Sequence, residues 1–147
     1  MIEYNVLAED EIPSLLELYK QLNSRDEIVA DDNAVKNIWD KITSRNIKYF
    51  TAKNDERIVS SCYICIIPNL TRGGRSIGFI ENVITDKAYR RKGIGKRIVE
   101  MALAYAREQN CYKVILQSGK ERTQAHQFYE SIGFDGESKR AFEVRFI

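Results

Sequence analysis

The chain has 147 residues, 44% hydrophobic and 30% charged, with 8 glycines and 2 prolines. That balance describes one domain over residues 1–147, able to bury a core without staples, and excludes disordered, collagen-like and low-complexity classes. Basic residues number 23 against 21 acidic ones, a net charge of +2, too mild to imply a nucleic-acid or anionic-membrane partner. No run approaches the roughly 18 uninterrupted apolar residues of a membrane span. The acidic start Met1-Ile2-Glu3 lacks the basic and apolar regions of a signal peptide, so a cytoplasmic location is expected.

Ile2–Leu7 reads as a first strand. Ile12, Leu15, Leu16, Tyr19 and Leu22 recur at helical spacing, with Asp10 as cap candidate and Pro13 in the first turn. A short second helix carries Val35, Ile38, Trp39 and Ile42, capped by Asp31 or Asp32. Ile47–Lys53 and Arg57–Ile67 are strand-like runs joined by the polar link Asn54-Asp55-Glu56, as in a hairpin. Cys62 and Cys65 fall inside the second run. Three apart on a strand they face opposite ways, so they read as core filler rather than a metal or redox pair.

A loop over 68–75 leads to a strand at Ser76–Thr85. A long helix then spans about Gly93 to Asn110, and a short buried-type strand Lys113–Ser118. A further helix covers about Arg122–Ile132 and stops at Gly133. Ala141–Ile147 alternates Phe142, Val144 and Phe146 and reads as a last strand. Strand, long helix and strand in succession make a crossover with parallel strands, beside an antiparallel hairpin. The predicted class is α/β: a mixed, mostly antiparallel sheet with helices on both faces.

The stretch from Val83 to Arg97 holds the most chemistry. An apolar strand ends, a loop turns, and Gly93 and Gly95 open a helix among Arg90, Arg91, Lys92, Lys96 and Arg97. Glycines admit close backbone approach. The first N–H groups of a helix lack internal partners and sit at the positive end of its dipole. Together these features read as a phosphate site. The spacing is neither GxxxxGK[ST] nor GxGxxG, since Ile98 stands where the third glycine belongs. Glu81 interrupts the otherwise apolar Ile77–Ile84. Either it is edge-exposed or salt-bridged, or it is a general base with a pKa raised by desolvation.

Arg90-x-x-Gly93-x-Gly95 resembles the acyl-CoA loop of the GNAT superfamily of N-acetyltransferases. Phe128-Tyr129-Glu130 followed by Gly133-Phe134 resembles that family's second signature, and the element order matches from Ile2 to the tail. The resemblance implies the GNAT fold, whose strands matching Ser76–Thr85 and Lys113–Ser118 splay to admit acetyl-CoA as co-substrate. It implies backbone contacts from Val83, Ile84 and Thr85 to the pantetheine arm. Pyrophosphate would be held by the N–H groups of Arg91, Lys92, Gly93, Ile94, Gly95 and Lys96, with Arg90 at the first motif position. It implies direct acetyl transfer to an amine, small or peptide-borne, with Glu81 as base and Tyr129 as the acid that protonates the departing thiolate. A phenol and an alkyl thiol have similar pKa values near 10, which suits that transfer. An asparagine that the family often places before the last helix is Arg122 here.

Gly78–Gly95 with Cys111–Leu116 also resembles the glucosamine-phosphate N-acetyltransferase branch. That branch's acidic residues after the Glu and at the end of the next strand are Asn82 and Gln117 here, so no acceptor is assigned. No metal, nucleic acid or membrane is expected, and a homodimer is admitted as an assembly. A CoA-binding regulatory module without turnover is the alternative reading, and a generic phosphate-ligand binder a third; Glu81 with Tyr129 favours the enzyme.

Overall fold

The computed structural model describes residues 1–23, 25 and 27–146. The chain divides into two compact units, Met1–Ile115 and Leu116–Ile147.

In the first unit β1 (Ile2–Val6), β2 (Ile47–Asn54), β3 (Arg57–Ile67), β4 (Ser76–Thr85) and β5 (Cys111–Leu116, its last residue in the second unit) form one sheet in that order. The pairs β1–β2, β2–β3 and β3–β4 are antiparallel. Helix α3 (Ile94–Glu108) is the crossover that returns the chain beside β4, giving the mixed sheet expected from sequence. Helices α1 (Ile12–Tyr19) and α2 (Asp32–Thr43) precede β2. Pro13 sits in the first turn of α1, where its missing N–H costs nothing. Asp31 caps α2 by accepting from the Asn33 N–H at 2.9 Å.

Period-two alternation splits the sheet's side chains between two layers. On one face Ile58 and Ile84 join Leu7, Ile12, Leu15 and Leu18 in a buried cluster, with Tyr19, Trp39 and Tyr49 packed against it. On the other, α3 brings Ile98, Val99 and Ala102, all fully buried. Phe50 meets the Tyr105 ring edge-on there, at 5.9 Å. Cys62 is buried on this α3 side, its Sγ 3.9 Å from the Ile98 carbonyl, and burial pushes its thiol up to about 12. Cys65, three residues on, pairs with Ile47 and projects to the opposite face.

β4 contains an irregularity that its sequence does not announce. Ser61 pairs with Ile84 and Tyr63 with Glu81, so Asn82 and Val83 together oppose Cys62 alone. This is a β-bulge, and Asn82 accommodates it in the left-handed region at φ 52°. Along a regular strand, positions 81 and 84 would face opposite ways. The extra residue instead puts Glu81 on the face of Ile84, toward α1 and α2.

The second unit holds α4 (Thr123–Ile132), ended by Gly133 at φ 113°. The strand expected over 141–147 is not formed: 141–146 carry no strand, and Phe142, Val144 and Phe146 are 84%, 76% and 92% exposed. Ile147 lies outside the described residues. Alternation supplies a face, but a strand also needs a partner for its backbone N–H and C=O groups. The fifth expected strand is displaced, running Cys111–Leu116 rather than Lys113–Ser118. Among the described residues no helix is long and apolar enough to cross a membrane.

Candidate active site

The loop after β4 is built to expose backbone donors. Arg91 and Gly93 both take left-handed conformations, φ 62° and 78°. The Arg97 N–H is the first to close onto the Gly93 carbonyl, at 3.1 Å. The N–H groups of Ile94, Gly95 and Lys96 are thus left without helix-internal partners. A Cβ built on Gly93 would meet nothing within 4 Å, so open space lies over the turn. Ile94 anchors the loop from below, its side chain buried in the core. Arg90, Arg91, Lys92 and Lys96 are exposed, and among the described residues no carboxylate lies within 4 Å of any of them. Cations without carboxylate partners, among the described residues, around N–H groups without helix-internal partners are what a pyrophosphate requires, so the residues present fit the phosphates of an acyl-CoA.

The strand residues expected along the pantetheine arm are partly engaged already. The Ile84 carbonyl accepts from the Ser60 hydroxyl at 3.0 Å, and the Thr85 carbonyl from Arg90 Nε at 3.0 Å. Arg90 therefore braces the turn with its own side chain. Val83, inside the bulge, is half-buried. At their starts β4 and β5 are tied together, with Arg75 Nη2 donating to the Cys111 carbonyl at 2.9 Å. A Cβ on Gly78 there would come within 3.1 Å of Val114.

Glu81 is half-buried on an interior strand, which removes the edge-exposed reading. Among the described residues no cation lies within 4 Å of its carboxylate, which removes the ion-paired one. Desolvation raises its pKa above the usual carboxylate value. Directly across the sheet stand Tyr63 and then Tyr49, whose rings stack 4.9 Å apart. Burial raises both hydroxyls, Tyr49 up to about 12; Tyr63 further raises Tyr49, and Glu81 further raises Tyr63. From α1 the Tyr19 hydroxyl is enclosed beside Tyr49 and Asn82 without a well-aligned hydrogen bond to either, and burial pushes it well up. Raised pKa values keep all three phenols neutral, and of the three it is Tyr63 that stands directly across from the carboxylate. Tyr19, Trp39 and Tyr49 also line a cavity of about 210 Å³ between α1, α2 and β2. Tyr49 and Tyr63 escaped sequence reasoning. They lie in plain strand patterns, and only the register shows them in line with Glu81.

Tyr129 lies on α4 in the second unit, its ring between Phe128 at 5.2 Å and Phe134 at 5.9 Å. His126 is half-buried and meets the Gly119 carbonyl at 2.8 Å, a bond that ties the start of α4 to the preceding loop. Arg122 is exposed at the helix cap. Among the described residues no three His, Cys, Asp or Glu side chains gather as a metal site.

Residues 12–134 match the model of the acetyltransferase (GNAT) family. A glucosamine 6-phosphate N-acetyltransferase of Trypanosoma brucei brucei is 37% identical over 135 residues, 90% of this chain and 88% of that protein. A crystal structure of a Trypanosoma brucei acetyltransferase superimposes with a TM-score of 0.88 at 32% identity, covering 99% of this chain and 100% of that one. A structure from Agrobacterium tumefaciens, assigned as an acetyltransferase, gives 0.91 at 34% identity, covering 98% and 99%.

Proposed function

The chain belongs to the GNAT acetyltransferase family and is an acetyl-CoA-dependent N-acetyltransferase; from that premise we propose that it acetylates the amine of glucosamine 6-phosphate, with Glu81 as general base and Tyr129 as general acid. The observation that carries the chemistry is the bulge at Asn82, which turns an unpaired, desolvated carboxylate onto the α1/α2 face beside the strand end that leads to the phosphate loop. The acceptor rests on the likeness to the trypanosomal enzyme over most of both chains. Asn82 and Gln117 stand where that branch carries acidic residues.

Bound acetyl-CoA supplies an activated acetyl thioester. The loop from Arg91 to Lys96 holds its pyrophosphate through backbone N–H groups, and Val83 to Thr85 hold the pantetheine arm. Glu81 takes a proton from the substrate ammonium, freeing the nitrogen lone pair. Desolvation raises its pKa above the usual carboxylate value, which makes it a stronger base than a solvated carboxylate. The N–C bond forms at the thioester carbonyl, whose oxygen gains charge and needs a donor, for which the backbone N–H at Val83 is suited. The C–S bond then breaks and the Tyr129 hydroxyl gives its proton to the sulfur. The newly bonded nitrogen, still carrying two protons, gives one up to solvent and becomes the neutral amide, while solvent returns a proton to Tyr129 and removes the one held by Glu81. Positioning carries much of the rate, since no acyl-enzyme step is needed.

The test is thiol release from acetyl-CoA with glucosamine 6-phosphate, glucosamine and unrelated amines. The phosphorylated sugar is expected to lead glucosamine by roughly 10–100-fold in kcat/KM, the worth of about one charged hydrogen-bond set. Equal rates on the two sugars overturn the acceptor and leave acetyl transfer standing. Binding of acetyl-CoA with no thiol release from any amine favours the regulatory module.

A further inference from the structure

The turn that feeds the phosphate loop is held by a part of the chain with no place in the chemistry above. Asp86, the first residue after β4, is 2% exposed. Its carboxylate accepts from Arg57 Nη2 and from the Ala88 N–H, the latter at 2.8 Å. Its own N–H donates to the Val59 carbonyl at 2.8 Å, and its carbonyl accepts from the Tyr89 N–H at 2.8 Å. Asn54 Nδ2 donates to the Tyr89 hydroxyl at 2.9 Å. The Lys87 N–H donates to Gln21 Oε1 at 3.1 Å, from the turn that follows α1. Asn54 and Arg57 are the two residues that flank the β2–β3 turn, Asp55-Glu56, with Asp55 at φ 52°. One hairpin end therefore grips the turn at both its ends.

The loop beyond the turn needs such support. It carries two left-handed residues, and its cations are exposed and, among the described residues, without a carboxylate within 4 Å. Backbone N–H groups bind a pyrophosphate tightly only when they already converge; otherwise binding must order the loop. We propose that the β2–β3 hairpin end, through Arg57 on Asp86 and Asn54 on Tyr89, is a positioning device that presets the loop for the diphosphate of the acyl donor. These residues touch no donor atom. They fix where β4 releases the chain, and hence where Gly93 and the helix start stand. A merely structural role makes a different demand. An exposed arginine on a buried aspartate would then contribute to melting temperature and be indifferent to which thioester is used.

The inference rests on the reading of Arg90–Lys96 as the pyrophosphate loop, and two donors separate the two claims. Acetyl-pantetheine carries the same thioester without diphosphate or nucleotide. The wild-type chain is expected to favour acetyl-CoA in kcat/KM. The double variant Arg57→Gln/Asn54→Ala alters only the hairpin end, and its folding is checked by melting. It should lose roughly 10–100-fold in kcat/KM with acetyl-CoA, a loss typical of a group misplaced by about 1 Å. That loss should fall in KM for acetyl-CoA with kcat held, and acetyl-pantetheine should show none of it. Arg57→Lys, which keeps the charge on Asp86, should recover part of it. Asp86→Asn, if it folds, should match or exceed the double variant. Equal losses with both donors, or none with either, overturn the proposal while the loop reading stands. A wild type that uses both donors equally overturns the loop reading and the proposal with it.

Discussion

The backbone leaves regular geometry twice on the way from β4 into α3, and the two departures yield different things. At Asn82 the irregularity lies inside the sheet, and its product is a side chain: Glu81 placed on the α1/α2 face in line with Tyr63 and Tyr49. At Arg91 and Gly93 it lies in an exposed loop, and its product is a set of backbone N–H groups over open space. The first place depends on one functional group and tolerates changes around it. The second depends on one conformation and tolerates changes in the side chains that decorate it. Sensitivity to substitution should therefore be chemical at the bulge and steric at the loop.

The largest break of that contrast is Gly93→Asp. It forces a side chain onto φ 78° and puts a carboxylate into the open space proposed for the phosphate. Acetyl-CoA at about 100 times its dissociation constant stabilises a native fold by about 2.7 kcal/mol. The variant should lose that entire rise in melting temperature, whereas Lys92→Ala should keep most of it. Next in size is Glu81→Gln, expected to lower kcat by about 10²–10⁴-fold at neutral pH. The wild-type rate should fall as pH drops through the raised pKa of Glu81, because a carboxyl that is already protonated cannot take the proton of the ammonium. The variant should lack that limb, and its deficit should shrink at high pH, where the amine is already neutral. A variant with the wild-type profile would leave the base to another group. Tyr129→Phe comes third, with turnover down by about 10–10³-fold and acetyl-CoA affinity unchanged. Unchanged turnover would reduce Tyr129 to its ring contacts with Phe128 and Phe134.

The loop was legible because its requirement is compositional. Glycine is the residue that takes positive φ without strain, and two glycines among five cations stand out in any reading. The bulge was not legible, because it is a property of pairing. Glu81 was singled out as a polar residue in an apolar run. Which way it faces depends on Asn82 and Val83 sharing one partner, and no local pattern encodes that. The stacked tyrosines were invisible for the same reason. Asp86 was passed over because an aspartate after a strand reads as ordinary turn chemistry; its burial under Arg57 is a long-range fact. The tail failed in the opposite sense. Phe142, Val144 and Phe146 carry the local signal for a strand, yet the pairing that would complete one is not formed. Patterns limited to a few residues predicted α1, β3 and β4 closely. Everything that depended on a distant partner had to await the fold.

The smallest effect sharpens the comparison furthest, because it asks what Glu81 does for stability rather than rate. Burial raises its pKa in the folded chain above the unfolded value, with no ion pair among the described residues to offset it. Between those two values the folded state binds more protons than the unfolded one, so stability falls as pH rises through that window. The contribution is fully present below the unfolded pKa and gone above the folded one. Glu81→Gln has no charge to desolvate. At neutral pH it should melt at the wild-type temperature or a few degrees above it, and the two curves should converge in the variant's disfavour as pH drops below the ordinary carboxylate range. A carboxylate kept for structure would give the reverse: a variant less stable at neutral pH, with the gap closing in acid. Melting curves of the two proteins from neutrality down to about pH 3, roughly one unit below an ordinary carboxylate, decide between them. A less stable Glu81→Gln at neutrality would assign Glu81 to the sheet. An equal or more stable one that has lost turnover would mark a group held at some cost to the fold for its chemistry.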